Sequence, residues 1–245
     1  MPAGEYRSGG IRVAISIIGA GYNYSASGSA FNVPISFSLN AGDAIFIYCT
    51  ATVITAPALS GPSGGGVTWY QVGTTQTGIG TNNVSCWEGT VNAPVAANSS
   101  VTVTYTSATF ASGTLVVVRN GGSYSSNTVT GTAQVCASSL AVSIPPSEVV
   151  FGFQLGLSGE LSATINGVNA QYTTNPGGNA STIIPGTGFP QGANAINGSN
   201  TVSLTQGTVS PFTITAIAVA QGGSVIPGAP GTNVGDWLKR HRLKR

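Results

Sequence analysis

The amino-acid sequence predicts an all-β protein, an antiparallel β-sandwich of jelly-roll type that ends in a flexible basic tail. Three observations carry that prediction. Period-2 alternation and β-branched runs recur from about residue 11 to about residue 220. Clusters of Gly, Asn and Pro punctuate these runs at fairly regular spacing, as in sandwiches and jelly rolls. Outside the last ten residues, no stretch longer than about ten residues has a helical apolar period.

In chain order, a first strand is expected over 11–18, where Ile11, Val13, Ile15 and Ile17 alternate with other residues. The same run follows Arg7 and Arg12 in the manner of a weak secretory signal, but it is short for one, and a strand is the better reading. A second strand follows over 32–38, then the turn Asn40-Ala41-Gly42-Asp43 and a strand over 44–52. The turn at residues 61–66 leads to strands over 67–72, 84–91, 100–106 and 113–119. Asn120-Gly121-Gly122 reads as a turn, and further strands are expected over 139–144, 148–155, 161–165 and 170–174, with turns at Pro145-Pro146 and at 175–178. Residues 183–199, rich in Gly, Pro and Asn, read as a long surface loop, followed by strands over 201–205 and 212–220. Residues 44–49, 114–118 and 149–153 are apolar almost throughout, so they are expected between layers or in a protein contact.

The organisation that results is a β-sandwich over 1–221, with a strand or arm within 1–40, a Gly/Pro linker over 222–235, and a basic tail over 236–245. Charge divides the chain at the same place. Only 6% of residues are charged, so Ser, Thr, Asn and Gln must solvate the surface. Residues 1–235 carry three arginines against five acids, whereas the tail carries Lys239, Arg240, Arg242, Lys244 and Arg245 against Asp236. Such a tail can neutralise phosphates or meet an acidic partner or a neighbouring subunit. No apolar stretch is long enough for a transmembrane segment.

Catalytic chemistry is poorly provided for. The one histidine, His241, lies in the tail, so the body has no Ser-His-Asp or Cys-His arrangement. Its acids, Glu5, Asp43, Glu88, Glu148 and Glu160, sit at turns or strand ends as solvated carboxylates do, and no paired-carboxylate enzyme is expected. Gly64-Gly65-Gly66 has no lysine beside it and is no phosphate loop, and no Asp-rich loop offers a calcium site. Cys49, Cys86 and Cys136 fit no zinc spacing and read as reduced core residues. Neither cofactor nor metal is expected. Trp69, Tyr70 and Trp87 are the candidate aromatic contact, although strand tryptophans more often serve the core.

Residues 25–120 resemble a β-sandwich domain of phage and viral structural proteins and of some secreted surface proteins. The resemblance rests on the strand 31–40, on Ala41-Gly42-Asp43 before the apolar strand 44–52, on the turn and Trp strand 61–69, on Cys86-Trp87, and on Val101-Thr102-Val103-Thr104-Tyr105 leading to 111–119. The Gly64-Gly65-Gly66-Val67-Thr68-Trp69 stretch is longer than the usual Pro-x-Gly-Trp of that pattern. The resemblance brings no catalytic residues. It implies a self-assembling virion component, a capsid, decoration, spike or tail protein, with copies of itself, other virion or surface proteins and, through the tail, nucleic acid as partners. Two alternatives are an extracellular filament subunit or adhesin, and a carbohydrate-binding module.

Overall fold

The computed structural model describes residues 14–25, 28–52, 57–79, 82–108, 110–142, 148–174, 180–185 and 194–221, all of them within one unit, Ala14–Gly222. The linker 222–235, the tail 236–245 and residues 186–193 of the loop expected over 183–199 lie outside the described residues. The chain is all-β with antiparallel sheets, and the described residues contain no helix.

The first eight strands are β1 (Ser16–Ser25), β2 (Gly28–Ile35), β3 (Ala44–Ala51), β4 (Ala58–Ser60), β5 (Thr68–Ile79), β6 (Asn82–Thr90), β7 (Ser99–Ala108) and β8 (Ala111–Arg119). They form a five-stranded sheet in the order β1-β8-β3-β6-β5 and a three-stranded sheet in the order β2-β7-β4. The first strand pairs with the eighth, the second with the seventh and the third with the sixth. This is a long hairpin wound upon itself, the jelly-roll pattern. β5 departs from it, pairing with β6 instead of with the short β4.

The remaining strands are β9 (Gly121–Val142), β10 (Glu148–Gly156), β11 (Glu160–Ile165), β12 (Val168–Thr174), β13 (Ala180–Pro185) and β14 (Gly198–Gln221). Their order is β10-β13-β12-β11-β14-β9, and β10 also pairs with β14, which closes a small barrel. β10 and β11 lie end to end along β14, from Glu148 opposite Ala220 to Ile165 opposite Val202. The β11–β12 hairpin turns on Asn166-Gly167, both with positive φ (54° and 75°), the type I′ geometry that Asn-Gly favours.

A crease runs across this second half. The register of β14 on β9 shifts between Thr205 and Ser210. β9 returns on itself, so that Asn127 Nδ2 donates to the Ser139 carbonyl and Ser138 Oγ to the Asn127 carbonyl, each at 2.8 Å. Bent strands leave ladder groups unpaired, and a buried side chain takes some of them up. Gln206 Nε2 donates to the Ala133 carbonyl at 3.1 Å, to the Ser210 carbonyl at 3.3 Å and to Cys136 Sγ at 3.1 Å.

Sequence periodicity now acquires its physical reason. Ile45, Ile47 and Cys49 of β3 pack toward Phe31, Val33 and Ile35 of β2 and Val101 and Val103 of β7, filling the jelly roll. Ala44, Phe46 and Tyr48 point the other way and meet Val149, Phe151, Phe153 and Leu155 of β10 with Ile217 and Val219 of β14. Tyr48 stacks on Phe153 at 5.4 Å between ring centroids. The apolar runs 44–49, 114–118 and 149–153 are thus covered on both faces by layers of the same chain. A third core, with Val150, Ile165, Ile183, Val202 and Ile214, fills the barrel.

Some expected boundaries move. The first described strand begins at Ser16 and runs to Ser25 instead of ending at residue 18. Residues 121–138, read as a turn and connecting chain, belong to the long strand β9, and 180–185 form β13. The strands expected over 201–205 and 212–220 are one strand, β14, carried through the crease at Gln206-Gly207.

Candidate functional site

The three aromatic candidates separate when placed on the fold. Trp69 and Trp87 lie on the jelly-roll face of β5 and β6, half-buried against that core. Trp69 stands opposite Gly89, and a Cβ there would meet the indole Cε3 at 2.8 Å, so the missing side chain makes room for the ring. Trp87 Nε1 donates to Ser85 Oγ at 3.0 Å. Tyr70 projects from the opposite face of β5 and is 62% exposed. The three rings therefore form no common platform, because adjacent residues of a strand point to opposite sides.

Tyr70 has a different neighbour. It stands directly across from Glu88 of β6, whose other cross-strand partner is Phe46 of β3. Phe46 receives the ring of Tyr124 from β9 edge-on, with centroids 5.4 Å apart. Four strands thus set a half-buried carboxylate between an exposed tyrosine and a half-buried one. Burial raises the pKa of Glu88, and the hydrogen bond donated by Thr90 Oγ1 at 3.0 Å opposes the shift. The Tyr124 phenol is held above its ordinary range by burial first, then by the negative charge of Glu88. An acceptor-only carboxylate beside aromatic side chains suits a cation or a hydrogen-bond donor. The raised Tyr124 phenol is not an activated nucleophile.

The other described acids are engaged or isolated. Asp43, 1% exposed, is gripped by Arg119 through Nε at 3.2 Å and Nη2 at 3.0 Å, and it accepts the Asn40 N–H at 2.8 Å. This fastens the 40–43 turn to the end of β8. Glu160 accepts the hydroxyl of Ser181 at 2.8 Å, and Glu148 opens β10, its carboxyl pushed up by burial. Among the described residues, no three His, Cys, Asp or Glu side chains group together as a metal site would require.

All three cysteines are buried free thiols. Cys49 faces the jelly-roll core and Cys86 the layer between sheet and barrel, on opposite sides of one sheet. Burial pushes the Cys49 thiol up to about 12 and raises Cys86 as well, so neither is a nucleophile. Cys136 lies in the barrel core beside Gln206, with its pKa also raised by burial.

Lys239, Arg240, Arg242, Lys244 and Arg245 lie outside the described residues. Glu88 and Tyr124 were not singled out from the sequence. Glu88 reads there as an ordinary solvated acid, and only the pairing of β6 with β5 and β3 reveals its aromatic surroundings. The chain finds no match among protein-family models, curated proteins or solved structures.

Proposed function

We propose that this chain is a non-enzymatic structural protein of a virion, a capsid, decoration, spike or tail component that assembles with copies of itself. The observation that carries the reading is the jelly-roll winding, first strand on eighth, second on seventh and third on sixth. Jelly rolls serve repeatedly as capsid and lectin domains. Support also comes from the thoroughly cross-packed layers and from polar groups tied to one another as structural contacts. Thr128 with Thr215, Thr130 with Thr213 and Thr164 with Ser203 are cross-strand hydroxyl pairs of this kind. The basic tail then contacts nucleic acid or a neighbouring subunit.

The two alternatives draw less from the structure. A filament subunit would exchange an N-terminal segment such as 11–19, and Ser16, Ile17 and Gly19 are already registered on β8 of the same chain. A sugar platform needs exposed tryptophans, and Trp69 and Trp87 are half-buried. Among the described residues no helix is long and apolar enough to cross a membrane.

Electron microscopy of the purified full chain beside a chain ending at Gly235 tests the proposal. Uniform particles, tubes or lattices from the full chain are expected. Their loss on truncation assigns the tail to subunit contacts, whereas featureless fields from both chains at high concentration contradict self-assembly.

A further inference from the structure

We infer that the aromatic-acidic patch of Tyr70, Glu88 and Tyr124 is a docking site for the basic tail, Lys239–Arg245, of a second copy of this chain. The inference rests on the self-assembly reading above and names the surfaces that meet.

Charge accounting comes first. Among the described residues the one ion pair is Arg119 with Asp43, and Arg119 is the sole described base. Glu88 thus has no cationic partner among them, although it is half-buried on a sheet face, and among the described residues its carboxylate's one hydrogen bond comes from Thr90. A partly desolvated carboxylate gains more from a cation than an exposed one does. The positive charge that matches it is concentrated at the C-terminus, where both lysines of the chain and three of its six arginines lie.

The chemistry of the patch selects the same occupant. Tyr70 is 62% exposed and stands in register beside Glu88, so a guanidinium bound to the carboxylate can also lie against a tyrosine face. Phe46 and Tyr124 close the other flank and limit the water that competes for the carboxylate.

Reach permits a second copy, and the self-assembly reading above selects it over the chain's own tail, which leaves β14 two residues past Val219, the residue opposite Tyr124. Strand β14 ends at Gln221, and the chain then continues through the Gly- and Pro-rich stretch 222–235 before the tail begins. Fully extended, a linker of that length spans ~45 Å. That exceeds the roughly 20 Å radius of a body this size, and proline favours the extended form. Lys239–Arg245 can therefore bridge subunits, each tail engaging the β5–β6 face of a neighbour.

Zero-length carbodiimide cross-linking of the full chain gives a direct test, because Lys239 and Lys244 are its only lysines. An equimolar mixture of unlabelled and nitrogen-15-labelled protein is cross-linked at low salt, digested and read by mass spectrometry, with light scattering on the same sample. The expected product joins Glu88 to Lys239 or Lys244, with mixed-isotope pairs making up about half of it. Its yield should fall severalfold in 0.5 M salt and vanish in Glu88→Gln, while Tyr70→Ala, which keeps the carboxylate, should lower it severalfold. Assemblies without a link at Glu88, or with links confined to Glu148 or Glu160, overturn the inference and leave self-assembly standing. Links at Glu88 that never mix isotopes also overturn it. A monomer by scattering at every concentration removes the self-assembly reading itself, and the inference with it.

Discussion

Asp43 shows how much one residue can hold in a chain with few charges. Its carboxylate is almost fully buried, bound twice by Arg119 and once by the Asn40 amide. Removing Arg119, which is partly exposed, leaves the buried carboxylate uncompensated, so Arg119→Ala should cost about 3 kcal/mol by urea unfolding. A loss under ~0.5 kcal/mol would reduce the pair to a surface contact. Glu88 has no such cationic partner among the described residues. Its folded pKa lies above the unfolded value, so the native state binds more protons in that window and stability falls as pH rises through it, starting near ~4.3. Glu88→Gln should flatten this part of the stability-pH profile, and an unchanged slope would contradict the assignment. The thiols supply a third residue-level expectation. All three cysteines are buried, so Ellman's reagent should find almost no reactive thiol in the native protein and all three after unfolding. Turn residues and cysteine burial were legible in the sequence, but the surroundings of Glu88 were not, since Phe46, Tyr70 and Tyr124 are distant in the chain.

At the scale of elements, strands with a two-faced apolar pattern were the most legible. β3, β8 and β10 carry it because each lies between two layers. β9 escaped detection for the opposite reason. It is the edge strand of its sheet, and in its first half, Gly121-Gly122-Ser123-Tyr124-Ser125-Ser126-Asn127, small polar residues leave no apolar alternation to read. β14 was divided because Gln206-Gly207 and Pro211 look like a turn, whereas the structure uses that break as the crease. Gln206 holds the crease, so Gln206→Ala should cost about 2 kcal/mol in urea unfolding. A change near zero would show that the bend is fixed by the backbone alone. Close approach of strands is equally testable. A Cβ on Gly21 would fall 2.2 Å from the Pro34 carbonyl oxygen, so Gly21→Ala should destabilise by ~1–3 kcal/mol, and a neutral result would contradict the packing of β1 on β2.

For the molecule as a whole, the sequence announced the all-β class and the jelly roll but gave no sign that its second half closes into a barrel. That closure depends on β10 pairing with both β13 and β14, and no local pattern encodes such long-range pairing. The middle core draws on the jelly-roll sheet and on the barrel alike, so the described residues form one packed body, which the proposal makes a self-assembling subunit. The most direct test of that claim is the molar mass of the full-length chain by size-exclusion chromatography with multi-angle light scattering across a wide concentration range. Defined species at large multiples of 24.4 kDa, growing with concentration, are the expected result. A constant 24.4 kDa at every concentration would contradict it.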